Sequence, residues 1–374
     1  MDRHLHIISF IVPFPVTYGG VFDIYHKIVA LHAAGIKIHL HCFSENNRRE
    51  HALNHLCERV YYYHRRKGIM GMSFSLPYIV SSRMDRKLCY RLDENDYPVL
   101  IEGVHAAGWL LNRSAKKRKI ILRLHNVEHD YYRQLFLSSS STLRKVYYHF
   151  ESALLKKFEQ QIATVPDHIL TVSSQDAETY RRLFNVNNVD VLPVFTGFTH
   201  DIPPSGAGSF CLYHGNLSVP ENERAVAWLL NEVFNNFDVP FVIAGKSPSP
   251  ALKQFIARFY NAHLVADPTL EKMQSLIAEA HCHVLPSFNI TGVKLKIINA
   301  LFHGRHCIVN RAAVKGSGLE EVCHIAQTPG QFKERIQALA GKPLTTGEIE
   351  SRRKVLNNLF DEEKNCERLI QLIW

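Results

Sequence analysis

Residues 6–43 read HIISFIVPFPVTYGGVFDIYHKIVALHAAGIKIHLHCF, and this stretch decides the fold. The apolar run 6–12 predicts a β-strand, and after a loop over 13–20 the apolar residues of 21–34 recur at helical spacing. Gly35 predicts the end of that helix, and the alternation over 36–43 predicts a second strand. A strand, a helix and a strand in succession predict a parallel βαβ unit.

The same alternation continues along both halves of the chain. Before residue 193 it predicts further strands at 60–63, 99–101, 120–124 and 169–172. A stretch rich in Pro, Gly and Ser at 193–209 predicts a linker, after which strands are predicted at 210–214, 241–244, 263–265, 281–285 and 307–309. We therefore predict an α/β fold of two Rossmann-like, doubly wound parallel-sheet domains, 1–195 and 210–345, facing across a cleft. The ligand is expected at the carboxyl ends of the strands.

Composition and cysteine usage are those of an ordinary globular enzyme. Of the 374 residues 46% are hydrophobic and 21% charged, and no run of 18 apolar residues predicts a transmembrane helix. The eight cysteines form no CxxC pair, so reduced thiols in a cytoplasmic protein are predicted. Neither HExxH nor a clustered Asp pair appears, so no metal site is predicted.

Positive charge is concentrated in the first half of a chain whose formal net charge is +9. The clusters lie at 64–67 (HRRK), at 116–119 (KKRK) and over 144–157, where Tyr and Phe are interleaved with Arg and Lys. A solvated helix and peripheral contact with an anionic membrane both fit this pattern. No nucleic-acid-binding motif accompanies the charge, so nucleic acid is not an expected partner.

Polar residues follow three predicted strands of the first half. Gly19 and Gly20 lie between the first strand and the first helix, where glycine lets a backbone approach a ligand closely. Glu102 and His105 follow the strand at 99–101, and His125 follows the strand at 120–124. Histidine beside a carboxylate at a strand end suits sugar recognition or proton handling.

The second half contains a candidate anion site. After the strand at 281–285 the chain continues as SFNITGVKLKIINA (287–300), a polar loop, then Gly292, then a predicted helix with Lys294 and Lys296 in its first turn. Lysines in a first turn oppose the helix dipole, so their position there favours a bound anion such as a pyrophosphate. A basic helix with its lysines in water is the alternative.

Taken in order, several stretches resemble the GT-B glycosyltransferases, in particular the retaining group that uses nucleotide sugars (the family 1/4-like, polysaccharide-biosynthesis type). The resemblance covers almost the whole chain and is carried by YGGVFDIYHKIVALHAAGIKIHLHCF (18–43), LRLHNVEHDYY (122–132), LTVSSQDAETY (170–180), YHGNLSVPENERAVAWLL (213–230), FVIAGKSPSPALKQF (241–255) and HVLPSFNITGVKLKIINALFHGRHCIVN (283–310). It implies transfer of a glycosyl group from a nucleoside diphosphate sugar to a glycan or lipid-linked acceptor, without a metal or other cofactor. It also implies that the helix at 346–374 crosses back to the first domain.

The resemblance also implies roles for individual residues. His125 matches a strand-end histidine near the transferred sugar, and Glu102 with His105 matches a second active-site loop; these three are the candidate catalytic residues. The candidate donor-binding residues are Gly19, Gly20, Gly215, Asn216, Gly245, Lys246, Thr291, Gly292, Lys294, Lys296 and Asn299.

Two departures from the family pattern concern the donor. Thr291 and Asn299 stand where many relatives have two glutamates, and a single amide oxygen accepts fewer hydrogen bonds from a ribose than a carboxylate does. Asn216 and residues 217–222 contain neither the Arg nor the Lys frequent in relatives. These departures make a degenerate sugar- or nucleotide-binding homologue one alternative to a transferase, and a nucleotide-sugar epimerase, which shares the fold, is the other.

Overall fold

The chain divides into two compact units in the computed structural model, which describes residues 2–16, 19–45, 49–112, 118–139, 141–199 and 206–374. The first unit comprises Met1–Gly197 and Phe360–Trp374, and the second comprises Phe198–Leu359. Part of the predicted linker (200–205), Tyr18 of the glycine loop and Lys116–Lys117 of the KKRK cluster lie outside the described residues.

The first unit is built on a parallel sheet with the order β3-β2-β1-β4-β5-β6-β7. Strand β1 pairs with β2 on one side and with β4 on the other, so it lies inside the sheet, and its three apolar residues, Leu5, Ile7 and Ile8, are fully buried. The strands in the described part of this unit are β1 (His4–Ser9), β2 (Lys37–Ser44), β3 (Arg59–His64), β4 (Val99–Glu102), β5 (Ile120–Leu124), β6 (His168–Thr171) and β7 (Val189–Val191).

Helices cover this sheet between the strands. They are α1 (Gly19–Ala33), α2 (Tyr78–Ser81), α3 (Arg86–Asp93), α4 (Glu128–Ser138), α5 (Thr142–Ile162) and α6 (Ser174–Phe184), with 3-10 turns at His51–His55, Gly68–Gly71 and Val104–Asn112. Local capping explains two of the starts, because Asp85 accepts from Lys87 N–H before α3 and Ser173 accepts from Asp176 N–H before α6.

The second unit repeats the architecture with a parallel sheet of order β10-β9-β8-β11-β12-β13. Its described strands are β8 (Cys211–Asn216), β9 (Phe241–Lys246), β10 (Ala262–Ala266), β11 (Cys282–Val284), β12 (His306–Val309) and β13 (His324–Ile325). Its helices are α7 (Pro220–Trp228, continued by a π turn at Leu229–Val233), α8 (Pro250–Ile256), α9 (Leu270–Glu279), α10 (Leu295–His303), α11 (Arg311–Val314) and α12 (Pro329–Leu339). The prediction of two Rossmann-like parallel-sheet domains is confirmed.

The C-terminal segment consists of two helices, α13 (Thr346–Phe360) and α14 (Glu362–Ile373). Asp361 separates them and caps α14 by accepting from Lys364 N–H at 3.0 Å. Helix α14 packs against α1, and its Cys366, Leu369 and Ile373 belong to the core of the first unit.

Strand β1 is shorter at its carboxyl end than the sequence predicts. It ends at Ser9, three residues before the predicted end, because the Ser9 hydroxyl donates to the Ile11 carbonyl and turns the chain. Among the described residues, no helix combines the length and the apolar character needed to span a bilayer.

Candidate functional site

At the carboxyl edge of the first sheet, a buried lysine joins two carboxylates. Lys27 Nζ lies 3.0 Å from Asp23 Oδ2, one helical turn away on α1, and 2.7 Å from Glu102 Oε1 at the end of β4. The side chains of all three residues are at most 1% exposed. Burial by itself would raise the pKa of Glu102, but Lys27 and the hydrogen bond from His125 outweigh it and keep this pKa below its usual value.

Asp23 is the centre of this buried cluster. Its carboxylate accepts from the Arg123 guanidinium at 3.2 Å and from Phe195 N–H at 2.8 Å, in addition to Lys27. Burial opposes ionisation, but Arg123 and Lys27 hold the pKa of Asp23 well below its usual range. Arg123 also donates to the Thr171 carbonyl at 3.2 Å, so the cluster fixes the ends of β5 and β6 relative to α1.

His125 is the member of the cluster with access to solvent, its side chain being 12% exposed. Its Nε2 lies 3.1 Å from Glu102 Oε2, and its Nδ1 lies 3.7 Å from Asp23 Oδ2, beyond hydrogen-bond distance. The Glu102 contact fixes the ring orientation by accepting from Nε2–H. Nδ1 is then the nitrogen that can hydrogen-bond a hydroxyl of a bound molecule.

His105, close to Glu102 in the sequence, packs against the aromatic ring of Phe10. Its ring stacks on Phe10 with centroids 4.8 Å apart, and the Phe10 ring in turn meets His125 edge-on at 5.8 Å. The Nδ1 atom is buried without a hydrogen-bond partner among the described residues. Burial, with the nearby Arg83 and His125 charges, holds the pKa of His105 well below its usual range, so the ring is neutral at physiological pH.

The two glycines of the first loop open helix α1. Gly19 and Gly20 are its first two residues, so they lie one turn before Asp23. A helix N-terminus leaves backbone N–H groups without intrahelical partners, and this places free donors on the same helix as the buried cluster.

A carboxyl group that favours the protonated state lies three residues after His125. Glu128 begins α4 and is buried, and burial together with the Glu159 charge raises its pKa to about 8. Glu159 accepts from the backbone N–H groups of Glu128 and His129, both at 3.1 Å, and thereby caps α4. The start of α4 therefore carries, three residues after His125, a carboxyl group that favours its protonated form at neutral pH.

In the second unit, the loop after β11 is held by its own side chains. The Asn289 Oδ1 atom accepts from both the backbone N–H and the hydroxyl of Thr291, each at 2.9 Å. Gly292 follows with φ +64°, a backbone conformation that glycine adopts without strain. Lys294 precedes α10 instead of lying in its first turn, and its Nζ donates to the Thr291 carbonyl at 2.7 Å.

Lys296 turns toward the neighbouring strand. Its Nζ donates to the Tyr213 hydroxyl and to Asn222 Oδ1, both at 2.9 Å, and lies over the Tyr213 ring. Asn222 also donates to the Asn216 carbonyl at 2.8 Å, so Lys296 ties the start of α10 to the loop after β8. Burial lowers the pKa of Lys296 to about 8, against the opposing influence of Glu221.

The other donor candidates of this unit have structural contacts of their own. A side chain at Gly245 would place its Cβ 1.9 Å from the Gly215 carbonyl, so the paired strands β8 and β9 require glycine there. Lys246 ends β9 with an exposed side chain. Asn299, on α10, accepts at Oδ1 from His303 Nδ1–H at 2.8 Å.

Of the helix starts beside this loop, α10 is the one compatible with an anion. The first turn of α7 contains Glu221 and Glu223, whereas the first turn of α10 contains no acidic residue. Because the positive end of the helix dipole attracts anions and the α7 carboxylates repel them, the start of α10, beside Lys294, is the more favourable of these two helix starts for an anion.

Sequence reasoning missed Asp23, Lys27 and Arg123, although a signal was present for two of them. Asp23 and Lys27 are spaced i, i+4 on a helix whose other inward residues are apolar, which indicates a buried ion pair. The chain offers no local signal that Arg123, on a buried strand, completes the cluster.

Within the described parts of the chain, two groups of side chains have a spacing suited to a metal ion. The ligand atoms of Asp23, Glu102 and His125 lie within 4.8 Å of one another, but Lys27 and Arg123 already balance the two carboxylates, so a cation gains little there. The second group, in the second unit, consists of His306, His324 and Glu348.

Comparison with known proteins bears on the family and the fold. Residues 208–342, within the second unit, match the model of the family "Glycosyl transferases group 1". An uncharacterized 44.6 kDa protein in the cps region of Klebsiella pneumoniae is 27% identical over 331 residues, which cover 83% of this chain and 84% of that protein.

Similar solved structures extend over the whole chain. Sucrose-phosphate synthase from Thermosynechococcus elongatus has a TM-score of 0.74 at 16% identity, covering 99% of this chain and 98% of that one. A TarM variant from S. aureus in complex with fondaparinux, alpha-GlcNAc-glycerol and UDP has 0.69 at 11% identity, covering 99% of each chain. HepE from Anabaena in complex with UDP and glucose has 0.63 at 12% identity, again covering 99% of each. These likenesses establish the two-unit GT-B fold.

Proposed function

We propose that this protein is a glycosyltransferase that moves a sugar from a nucleoside diphosphate sugar to a glycan or lipid-linked acceptor. The observation that carries the proposal is the match of residues 208–342 to the group 1 glycosyl transferases. The UDP bound in the TarM and HepE structures supports a nucleotide-sugar donor. The Klebsiella relative in a cps region supports a role in polysaccharide biosynthesis.

The two units have different parts in this proposal. The loop around Gly292, with Lys294 and the start of α10, receives the donor diphosphate, because backbone N–H groups and a lysine stabilise the charge of a departing phosphate. His125 touches the transferred sugar through Nδ1, and Glu102 orients it. Gly19 and Gly20, at the start of α1, provide backbone N–H donors near the donor diphosphate and the acceptor.

Three finer points belong to the same proposal. Transfer proceeds with retention of configuration, as the sequence resemblance implies, and an NMR assignment of the anomeric proton in the product tests this. No metal takes part, so an excess of EDTA is expected to leave turnover unchanged. The eight cysteines, all free thiols and six of them buried, support a reducing, cytoplasmic location.

A donor-binding screen followed by a transfer assay tests the function. The melting temperature is measured with UDP, GDP, dTDP and ADP sugars, and a donor at about 100 times its Kd is expected to stabilise the fold by about 2.7 kcal/mol. The stabilising donor is then incubated with a glycan or lipid extract, and release of the nucleoside diphosphate is recorded with and without the acceptor.

Lys294→Ala is the informative variant, and Lys272→Ala is its matched control. Lys272 lies in the first turn of α9 in the same unit and is exposed, so it reproduces a lysine at a helix start away from the proposed site. Loss of turnover in Lys294→Ala alone supports the proposal. Equal turnover in both variants removes the α10 loop from the mechanism, and donor binding without acceptor-dependent release identifies a binding protein instead of a transferase.

A further inference from the structure

The first unit carries four apolar side chains that stand in solvent on one short loop. Ile69 is 88% exposed, Met70 75%, Met72 67% and Phe74 fully exposed. We call these four residues the apolar tip. Single exposed apolar residues are ordinary on a protein surface, but four within six positions form a patch that indicates a binding surface.

The apolar tip is held in place by its supporting backbone. Between its members, Gly71 is buried and its carbonyl accepts from the Ser81 hydroxyl at 2.6 Å. Gly68 N–H donates to the Tyr78 hydroxyl at 3.2 Å. These bonds hold the loop against α2, so the four side chains project from a fixed base.

Helix α5 lies beside the base of the tip. The Tyr78 and Ile79 N–H groups both donate to the Glu151 carboxylate on α5, each at 2.9 Å, which joins the base of the tip to the helix. In the half of α5 that precedes Glu151, Leu143 is 85% exposed and Phe150 is 64% exposed. These two residues and Val146 have the spacing of one helical stripe, which we call the α5 stripe.

The apolar tip and the α5 stripe both lie in stretches of sequence that contain Lys and Arg but no Asp or Glu. Residues 59–84 contain five Lys or Arg and no Asp or Glu, although one of the five, Arg83, is buried and donates to backbone carbonyls; residues 131–150 contain three Lys or Arg and no Asp or Glu. Within the first stretch Arg65 and Lys67 contact the same carboxylate, that of Glu45, so the positive charge beside the tip exceeds the negative.

We propose that the apolar tip and the α5 stripe dock the first unit on an anionic lipid bilayer, the apolar side chains entering the interface and the cations facing the lipid phosphates. In a symmetric dimer formed through this surface, the Lys and Arg residues beside the two copies of the tip would face each other, and repulsion between these like charges opposes such a dimer. An anionic bilayer complements both the apolar and the cationic parts. This inference does not depend on the proposed transferase function.

Vesicle flotation tests the proposal with the full chain. The protein is mixed with vesicles of phosphatidylcholine alone or with about 30% phosphatidylglycerol, the anionic lipid supplying the negative surface potential. We expect flotation with the anionic vesicles, and a decrease as salt is raised. The double variant Ile69→Ser/Phe74→Ser is expected to reduce partitioning of the protein onto anionic vesicles at least about 10-fold. Each of its two substitutions removes an apolar side chain whose burial in the bilayer interface is favourable.

The matched control is Tyr260→Ser/Leu270→Ser in the second unit, where the two side chains are 78% and 74% exposed. It removes comparable apolar surface far along the chain from the tip, and we expect its flotation to equal that of the wild type. Equal flotation of the tip variant and the control, or equal binding to phosphatidylcholine alone, overturns the proposal. So does a wild-type dimer in solution that the tip variant converts to a monomer, which would assign the surface to a second copy of the chain.

Discussion

Removing the buried cation of the first unit gives the most direct test of how its candidate site is held together. In Lys27→Met the unbranched stem is kept and the ammonium group is lost, so packing changes little while the contacts to Asp23 (3.0 Å) and Glu102 (2.7 Å) disappear. Arg123 still neutralises the charge of Asp23, whereas the Glu102 carboxylate loses its cation and retains its contact with His125. Breaking a buried ion pair from one side costs about 3–5 kcal/mol, because the charge left behind is desolvated and unpaired.

The expected effect is a fall in melting temperature of about 6–20 °C, at about 2–4 °C per kcal/mol for a unit of this size, measured by calorimetry. Lys37→Met is the matched control, since Lys37 pairs with Glu58 at 4.0 Å with both side chains nearly half exposed. Such an exposed pair contributes at most about 1 kcal/mol. If Lys27→Met destabilises the protein no more than Lys37→Met does, the buried ion pairs of Lys27 do not stabilise the first unit.

The pH dependence of the same variant checks the cause. In the wild type the pKa of Glu102 is lowered, so its contribution to stability is present above its ordinary value of 4.5 and is lost as the pH falls below that value. Without Lys27, burial dominates and raises this pKa above 4.5, so the ionised carboxylate becomes a cost that protonation relieves. The stability deficit of Lys27→Met is therefore expected to shrink as the pH is lowered from neutrality toward 4.5, the ordinary pKa of a glutamate. A constant deficit would point to lost packing instead.

Three further outcomes follow from individual contacts. His125→Ala is expected to lower turnover in the transfer assay on the order of 100-fold with a melting temperature near that of the wild type, and an unchanged rate would remove it from the reaction. Gly245→Ala, whose Cβ meets a backbone carbonyl at 1.9 Å, is expected to lose about 1–3 kcal/mol in urea unfolding, whereas Gly347→Ala, with open space around it, is not. Burial lowers the pKa of His214 from 6.5 to about 3, so the unfolded chain takes up the proton first and stability falls as the pH drops from 6.5 toward 3, by about 2 kcal/mol at about pH 5. His214→Phe is therefore expected to gain stability relative to the wild type on acidification, and parallel pH curves for the two proteins would contradict this.

Much of the fold could be predicted because its signals are local. The periodicity of 21–34 and the stop at Gly35 place α1 within two residues of its observed bounds, and β5 has the predicted bounds. The first strand was predicted too long because Ile11 and Val12 are as apolar as the residues before them. The turn at Ser9 depends on one hydroxyl, which hydropathy does not reveal.

The candidate site was predictable where it depends on strand order and not where it depends on distant partners. Glu102 and His125 follow strands that neighbour each other in the sheet, so their contact at 3.1 Å is a consequence of topology. Lys296 was expected to face an anion because of its place near a helix start. Its partners Tyr213 and Asn222 are more than 70 residues earlier in the chain, and nothing near Lys296 in the sequence indicates them.

The charges of the two units suit the different tasks proposed for them. In the first unit two carboxylates face two cations, and the cluster has no surplus charge with which to attract a diphosphate, so it serves to hold His125 in one orientation. In the second unit Lys294 and Lys296 lie close together with Glu221 nearby, and the first turn of α10 contains no acidic residue. Salt screens charge attraction but hardly affects buried, compensated pairs. Raising the ionic strength should therefore weaken donor binding in the wild type, and donor binding should depend less on salt in Lys294→Ala. Identical salt dependences in the two proteins would show that Lys294 and the α10 loop do not bind the donor.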